Sequence, residues 1–410
     1  MNSPREILAR GPELKQLLEA AGADSAGAAT MHRKAAARVI RVDGVKAPAA
    51  NILKQELLSM GGECSNHREV ILGKPERCTV HLIADESTLR RLPQKMRAQP
   101  FGLKKLAEGV VALLDGQARR PRVLSHARGE LQFGARPLIC GILNVTSDSF
   151  SDGGQWLDPE AAVEKGLSMA AQGADIIDVG GESTRPGSAG VSAVEESNRT
   201  TPVIRELARH TNIPLSIDTQ KADVAAAALE AGAVMVNDVS ALGDAGMAEV
   251  VAQSGAALVL MHMRGEPATM QADPRYEDCV DEVYRWLEAR LEAAVEAGVS
   301  AERIALDPGI GFGKRVQDNT ELIRRVGELH SLSRPLMLGA SRKSFIGALT
   351  GESDPARRLE GSLAAAARGA EAGVQILRVH DVEATRRFLD AYTPLHRREN
   401  RQPALEEAPA

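Results

Sequence analysis

Aromatic side chains are scarce in this 410-residue chain, at 3% of the total. The hydrophobic core must therefore be built mainly from Val, Ile, Leu and Ala. The sequence has no uninterrupted apolar run of about 18 residues, which argues against a membrane-spanning helix. Residues 1–10 carry charge and lack an apolar stretch, so we expect no secretory signal and no membrane association.

A surplus of positive charge is also missing, since 50 Lys and Arg face 55 Asp and Glu. This balance does not favour a nucleic-acid partner. The four cysteines, at positions 64, 78, 140 and 279, include no CxxC pair, which excludes a dense disulfide framework and favours a reducing, cytoplasmic location. His67 lies between Cys64 and Cys78, but their spacing matches no standard metal site.

Changes of pattern divide the chain into five segments. Residues 1–36 are predicted to be partly helical and mobile, and residues 37–118 to form a small α+β domain. Residues 119–136 are basic and contain glycine, as expected of a linker or hairpin. Residues 137–390 are predicted to form a (β/α)8 barrel and residues 391–410 a disordered tail.

The small α+β domain is predicted to follow a β-α-β-β-α order. ARVIRVDGV, REVILG and CTVHLIAD look like strands, while NILKQELLSM, STLRRLPQKM and FGLKKLAEGVVALL have helical spacing. This order suits a split α/β sandwich. The domain contains no phosphate loop or paired carboxylates, so we expect a structural or oligomerisation role.

Eight short β-branched runs alternate with Ala-rich helical stretches in the barrel segment. They are PLICGILNV, DIIDVGG, PLSIDT, VMVNDVS, ALVLMHM, RIALDPGI, PLMLGAS and QILRVHDV. Such alternation is typical of a parallel sheet covered by helices, and eight units favour closure into a barrel. A doubly wound open sheet is the alternative, but the GxGxxG turn expected after its first strand is absent.

Polar residues end every one of these runs, where a barrel carries its active site. Five positive groups come from the second, seventh and eighth runs, and such convergence implies an anionic ligand. They are Arg185, Arg342, Lys343, Arg378 and His380. Lys343 and Ser344 are predicted to begin a helix, whose backbone N–H groups would also face an anion.

Acceptor groups end the third, fourth and sixth runs, as Asp218, Asn237 and Asp307. Acceptors on one side of a pocket suit a heterocycle with a donor edge, such as a 2-amino-4-oxo ring, because one carboxylate can accept from both the exocyclic and the ring N–H. The sequence thus predicts a heterocycle floor and an anion rim.

Two long loops rich in Gly, Ser and Asp follow the first and second runs. Their sequences are NVTSDSFSDGGQW, with Phe150, and GGESTRPGSAG, with Pro186. Loops of this kind above a barrel are more often lids than plain connections.

At these residues the chain resembles the dihydropteroate synthase family. GILNVTSDSFSDGG and IIDVGGESTRPGS resemble the two signature segments of that family. SIDTQK, VNDVSAL, LMHMRG, LDPGIGFGK, GASRKSFIG and RVHDV resemble its remaining strand ends in the same order. The resemblance spans about residues 122–390 and leaves the first 120 residues outside it.

The resemblance implies a reaction in folate synthesis that joins 6-hydroxymethyl-7,8-dihydropterin pyrophosphate to p-aminobenzoate and releases pyrophosphate. It implies that Asp218, Lys343 and Arg378 are the catalytic residues and that Asn144 holds Mg²⁺ on the pyrophosphate. Substrate-binding roles fall on Thr184, Arg185, Asn237, Met261, Asp307, Phe312 and His380, with Val239 in the pocket wall. Phe150, Pro186 and Ser344 would frame p-aminobenzoate.

The implied chemistry needs charge stabilisation rather than a strong base. Pyrophosphate leaves a CH₂ group conjugated with the dihydropterin, so the ring carries the resulting cation, and the arylamine is already nucleophilic. The sequence departs from the family pattern at Ser147, where proline is usual, and at Gln220, where serine is common. The first departure leaves the backbone of the first loop less constrained.

Two alternatives share the pterin floor. A methyltetrahydrofolate:corrinoid methyltransferase would lack the cations of SRKS and RVHD, and both motifs are present. A paralogue that only binds pterin would have lost Asp218, Lys343 or Arg378, and all three are retained. Barrels of the family are usually dimers, so we expect a homodimer acting on small molecules.

Overall fold

The computed structural model describes residues 11–118, 121–145, 159–182, 190–266 and 269–396. The chain divides into two compact units, Met1–Arg119 and Arg120–Ala410. None of the helices in these ranges is both long and apolar enough to cross a membrane.

Unit 1 consists of a small sheet and helices. Its elements are α1 (Gly11–Ala20), α2 (Ser25–Lys34), β1 (Ala37–Lys46), α3 (Ala47–Ser59), β2 (Glu63–Ser65), β3 (Arg77–Asp85), α4 (Glu86–Arg90), α5 (Leu92–Met96) and α6 (Leu103–Ala118). The sheet is antiparallel in the order β1-β3-β2. Alternate residues of β3, from Cys78 to Ala84, are buried against Leu53 and Leu57 of α3, so one face of the sheet carries the core.

One expectation for unit 1 was wrong. REVILG is not a strand: Val70–Leu72 form a short 3-10 helix, and the second strand is β2 instead. The reason is exposure, because Ile71 and Leu72 are 81% and 73% exposed and find no sheet face to cover. The helices α1 and α2 lie within residues 1–36, which were expected to be partly helical.

Unit 2 alternates strands and helices after an initial hairpin. Its elements are β4 (Val123–His126), β5 (Gly129–Gln132), β6 (Leu138–Asn144), α7 (Pro159–Ala171), β7 (Ile176–Gly180), α8 (Ala193–His210), β8 (Leu215–Asp218), α9 (Ala222–Ala231), β9 (Met235–Asp238), α10 (Met247–Ser254), β10 (Ala257–Met261), α11 (Cys279–Glu296), β11 (Ile304–Asp307), α12 (Val316–Arg325), β12 (Met337–Leu338), α13 (Ser344–Thr350), α14 (Leu359–Ala372), β13 (Ile376–Val379) and α15 (Val382–His396).

The sheet of unit 2 closes into a barrel. Its parallel strands follow the order β11-β10-β9-β8-β7-β6-β13-β12, and a parallel bridge from Leu306 to Leu336 joins the two ends. Strands such as β7 and β8 are buried along their whole length, because one face lies in the barrel and the other under helices. The predicted (β/α)8 fold with a smaller N-terminal α+β unit is confirmed.

The hairpin of β4 and β5 lies against the floor of the barrel. Leu124 and Leu131 belong to one buried apolar cluster with Cys140, Ile176 and Met235, which come from the amino-terminal parts of three barrel strands. Their burial removes apolar surface from water at the end of the barrel that lies opposite the polar strand ends.

The last helix is longer than the sequence suggested. α15 continues to His396, whereas residues 391–410 were expected to be disordered. Tyr392 accounts for the extension: its ring stacks on Phe388 with centroids 5.1 Å apart, and its hydroxyl donates to Glu371 of α14. These contacts anchor a further turn of helix to the barrel wall.

Candidate active site

A cavity of about 310 Å³ lies at the carboxyl ends of the barrel strands. The cavity is lined by Asp218, Asn237, Val239, Met261, Asp307, Gly309, Ile310, Phe312, Gly339, Lys343 and Arg378. Sequence reasoning therefore named most of the side chains that the fold brings together here.

The centre of the cavity is a buried ion network around Arg378. Its Nε donates to Asp178 Oδ2 and its Nη2 to Asp218 Oδ2, both at 2.6 Å. Burial opposes the charged guanidinium, but the two carboxylates outweigh it and raise the pKa of Arg378. The predicted free cation is thus already paired, and it holds two carboxylates in fixed positions.

Asp218 keeps one oxygen available to a ligand. Its Oδ1 is buried and has no hydrogen-bond partner within the part of the chain that the structure describes. Burial raises the pKa of Asp218 to about 7, and the Arg378 guanidinium only partly offsets this effect. An unsatisfied buried carboxylate oxygen is costly, so a ring with donor groups would relieve the cost on binding.

Asp178 does not line the cavity but contacts two residues that do, Arg378 and Asn237, and sequence analysis assigned it no role. It is fully buried and accepts from both Arg378 Nε and Asn237 Nδ2, the latter at 3.1 Å. The bond to Asn237 orients that amide on the neighbouring wall. Asp178 belongs to the run DIIDVGG, but nothing in the sequence shows that its side chain joins β7, β9 and β13.

Asp307 is fixed by the turn that follows β11. Gly309 N donates to Asp307 Oδ1 at 2.7 Å, and Gly309 has a φ of +65°, which an L side chain rarely adopts. A Cβ there would lie 1.8 Å from His262 O, so only glycine allows this approach. Burial raises the pKa of Asp307, while Gly309 and Lys343 oppose the shift.

Lys343 faces the same cavity from the start of α13. Its Nζ lies 4.0 Å from the centroid of the Phe312 ring, a cation–π distance. Lys343 is the N-cap of α13, and Ser344 is the first helical residue and is exposed. The helix therefore begins where the sequence predicted.

A buried lysine lies behind the cavity wall. Lys314 is 3% exposed, and its Nζ is 2.8 Å from His262 Nδ1 and 2.8 Å from Gly309 O. Burial lowers the pKa of Lys314 to about 7 and that of His262 to about 2. His262 is therefore neutral at pH 7. Its ring meets Trp286 edge-on, with centroids 4.9 Å apart.

Two of the expected cations do not form a free positive rim. Arg342 makes a two-point ion pair with Asp381 through Nε and Nη2, and its backbone φ of +58° turns it away from a regular strand end. Burial, reinforced by Arg378, lowers the pKa of His380 to about 3. His380 is thus uncharged at pH 7, and its Nδ1 lies 3.1 Å from Ser341 Oγ.

Asn144 ends β6 beside the cavity. Its Oδ1 and Asp218 Oδ2 lie 3.6 and 3.7 Å from the position of a Cβ on Gly180, so the two side chains flank one glycine. The described residues contain no group of three His, Cys, Asp or Glu that would hold a metal. One amide oxygen fits a Mg²⁺ ion carried mainly by substrate phosphates, not a site made by the protein alone.

The stems of the second long loop are tied to two helices. Lys221 Nζ lies 2.7 Å from Glu182 Oε2 and 2.5 Å from Glu196 Oε2. Glu182 Oε1 also accepts from Val191 N at 3.1 Å, which joins the two stems. The four predicted loop residues Phe150, Thr184, Arg185 and Pro186, and the departure at Ser147, lie outside the described residues.

Comparison with known proteins agrees with this geometry. A family model described as pterin binding enzyme matches residues 140–380. The dihydropteroate synthase of Synechocystis is 47% identical over 253 residues, which cover 62% of this chain and 88% of that protein. The chain belongs to the dihydropteroate synthase family of pterin-binding enzymes. The predicted family membership is therefore confirmed.

Other family members agree. The Escherichia coli dihydropteroate synthase is 45% identical over 251 residues, covering 61% of this chain and 89% of that one. The structure of the Xanthomonas albilineans dihydropteroate synthase with 4-aminobenzoic acid is 45% identical and superposes with a TM-score of 0.63, covering 67% of this chain and 98% of that chain.

A different relative extends into unit 1. The probable bifunctional folylpolyglutamate synthase/dihydropteroate synthase of Halobacterium salinarum is 40% identical over 391 residues. The match covers 92% of this chain and 46% of that protein, a share too large for unit 2 alone. Unit 1 thus has a counterpart in at least one relative, joined there to the same kind of barrel.

Proposed function

We propose that the barrel cavity of this chain is the site at which a dihydropterin pyrophosphate condenses with p-aminobenzoate to give dihydropteroate and pyrophosphate. The enzyme is a transferase of the pterin-methyl group. The observation that carries the assignment is the pair of buried carboxylates, Asp218 and Asp307, in one cavity with Lys343 and Arg378. This is the arrangement expected for a flat ring with donors on one edge and a carbonyl on the other.

The ring is proposed to bind by complementary hydrogen bonds. Asp218 Oδ1, which lacks a protein partner in the described structure, accepts from ring donors, and Asn237 and Asp307 contact the remaining polar edge. Lys343 Nζ donates to the ring carbonyl, while Arg378 lies against the ring face. Val239, Met261 and Phe312 supply apolar contacts around it.

The chemistry follows from charge. When the bond from CH₂ to the pyrophosphate oxygen breaks, the electron pair leaves with pyrophosphate and the ring carries a positive charge. The Asp218 carboxylate stabilises that charge from a fixed position, which costs no reorganisation during the reaction. The amine nitrogen then forms the new C–N bond and releases a proton. A neutral arylamine needs no strong base for this step.

The leaving group is proposed to lie towards β6 and β13. Asn144 would hold Mg²⁺ on the pyrophosphate, and Mg²⁺ when bound would neutralise charge on the departing oxygens. His380 would contact the pyrophosphate as a neutral hydrogen-bonding group. Thr184 and Arg185 would reach it from the second loop. Phe150, Pro186 and the Ser344 N–H would frame p-aminobenzoate.

A methyl transfer from methyltetrahydrofolate to a corrinoid is not favoured. Such an enzyme would share the pterin floor but would need no phosphate contacts. The motifs SRKS and RVHD, which the resemblance links to a pyrophosphate-bearing substrate, are present in this chain, and the relatives reported above are dihydropteroate synthases. We also propose a homodimer in the cytoplasm, with unit 1 in a structural or oligomerisation role.

The test is a direct assay of the purified full-length chain. Dihydropterin pyrophosphate and p-aminobenzoate are supplied with and without Mg²⁺, and pyrophosphate and dihydropteroate are measured together. We expect equal amounts of both products, dependent on p-aminobenzoate and on Mg²⁺. Pyrophosphate release without dihydropteroate formation would contradict the proposed reaction. Turnover that persists in EDTA would contradict the proposed role of Mg²⁺.

A further inference from the structure

Lys314 places its side-chain amino group inside the barrel top, behind the wall of the cavity. It does not line the cavity itself, and it was given no role in the chemistry above. Its Nζ donates to Gly309 O at 2.8 Å and to Phe312 O at 2.9 Å, and it lies 2.8 Å from His262 Nδ1. A buried ammonium is stable when such acceptors surround it.

Two of these acceptors, Gly309 O and Phe312 O, belong to a tight turn formed by residues 309–313. Gly309, Gly311 and Gly313 all have positive φ values, between +61° and +85°. A Cβ on Gly313 would lie 2.3 Å from Arg264 O, so the turn packs directly on the segment after β10. The carbonyl groups of Gly309 and Phe312 in this turn thus converge on one donor, Lys314 Nζ.

The same turn carries three features of the pterin pocket. Ile310 and Phe312 are part of the cavity wall. Gly309 N fixes Asp307 Oδ1 at 2.7 Å. The Phe312 ring lies 4.0 Å from Lys343 Nζ. A change in the turn would therefore displace an aromatic wall, a carboxylate and the surroundings of a cation together.

We propose that Lys314 is a positioning residue for the pterin site, acting through the 309–313 turn on Phe312 and Asp307. Lys314 Nζ is hydrogen-bonded to both ends of the turn, at Gly309 O and Phe312 O, and to His262 at the end of the neighbouring strand. The inference rests on the proposed function, because it takes the pterin substrate as the ligand of this cavity.

The variant Lys314→Met tests the role of the ammonium while keeping a long side chain. Because the turn shapes the pocket before any reaction occurs, loss of the Lys314 amino group should weaken binding of the substrate ground state and of the transition state by similar amounts. We expect the Kd of dihydropterin pyrophosphate and its KM to rise about tenfold or more, with kcat changed by less than about threefold. Lys314→Gln, which retains a donor, should lie between the wild type and Lys314→Met.

The control is His330→Ala, which removes a different buried polar contact. His330 is 4% exposed, and its Nε2 lies 3.0 Å from Ala372 O, in elements that contribute nothing to the cavity. The melting temperature of His330→Ala should fall, while its Kd for dihydropterin pyrophosphate should stay within about twofold of the wild-type value. This is the expected result when a substitution far from the binding site lowers stability.

Isothermal titration calorimetry with dihydropterin pyrophosphate and Mg²⁺, alongside thermal melting, separates the outcomes. A folded Lys314→Met that binds as the wild type does, even with a lowered melting temperature, overturns the inference. If Lys314→Met does not fold, wild-type binding by Lys314→Gln overturns it. Absence of binding by the wild-type chain would overturn the proposed function and this inference together, whereas loss in the variants alone supports the inference.

Discussion

Replacing Asp218 by Asn should separate activity from stability. The change keeps the shape of the side chain but removes its charge and one of its acceptor oxygens. In the structure Oδ2 accepts from Arg378 at 2.6 Å, while Oδ1 is buried without a partner among the described residues. The ligand therefore loses the group that is free to bind it, and Arg378 keeps Asp178 as its partner.

The size of the effect follows from two losses. A hydrogen bond to a charged group is worth about 1.5–3 kcal/mol. Loss of a fixed group that stabilises transition-state charge is of comparable size but overlaps with the first loss, because both act through the same carboxylate, so we expect a total of about 2–4 kcal/mol. That corresponds to a fall in kcat/KM of roughly 30- to 1000-fold. Asp223→Asn, in the exposed first turn of the following helix α9, is the matched control and should leave kcat/KM unchanged.

The stability of the variant should change in the opposite direction. Burial raises the folded-state pKa of Asp218 to about 7, above its ordinary value. The folded protein therefore binds more protons than the unfolded chain between about pH 4 and 7, and this group makes the fold less stable as pH rises through that window. An Asn removes that contribution, so the melting temperature at pH 8 should be equal to or above that of the wild type.

The same pKa predicts a pH profile. In the wild type kcat/KM should fall as pH is lowered through about 7, because a protonated Asp218 no longer accepts from both ring donors. The residual activity of Asp218→Asn should lack that acidic limb. Steady-state kinetics from pH 5.5 to 9, with melting curves at each pH, provide the data. Wild-type turnover in the variant, or an activity loss that matches its unfolded fraction, would refute the assignment.

Three further predictions concern the remaining parts of the chain. Lys343→Ala should lower the rate of dihydropteroate formation at least tenfold, a loss of about 1.4 kcal/mol in transition-state stabilisation. The control Lys105→Ala, at an exposed position, should keep the wild-type rate, and equal rates in the two variants would refute the role of Lys343. Arg378→Met should lower the free energy of unfolding, measured by urea titration, by about 3–5 kcal/mol, because Asp178 and Asp218 lose their cationic partner. An unchanged urea midpoint would show that the ion network around Arg378 contributes no net stability. Deletion of residues 1–120 should leave pterin binding intact by calorimetry, and a folded truncate that fails to bind would contradict this.

The barrel could be predicted because its signal is local and repeated. Each β-branched run ends in polar residues, and parallel strands collect those ends on one side whatever the details of packing. The floor residues Asp218, Asn237 and Asp307 were therefore identifiable from their positions alone. REVILG has the same local composition as a strand, but in unit 1 it does not pair with another strand. Whether a partner strand lies beside a segment cannot be read from the local sequence.

Charge at the site could not be predicted in the same way. Arg342 looked like a ligand for an anion, yet Asp381, 39 residues further along the chain, pairs with it. His380 looked cationic, yet burial keeps it neutral. Lys314 and His262 are 52 residues apart and meet only in the folded barrel. Ionic state depends on three-dimensional neighbours and on burial, and neither is encoded in a short motif.

The hairpin beneath the barrel has a consequence for the order of events. Leu124 and Leu131 close the end of the barrel opposite the cavity, so the cavity is a blind pocket with its opening at the strand ends. In the proposed arrangement the pterin ring occupies the deep part of the pocket, so it should enter before p-aminobenzoate, and the joined product should leave by the same opening. A dead end of this kind predicts an order of binding and release: pterin first in, and the pterin half of the product last out.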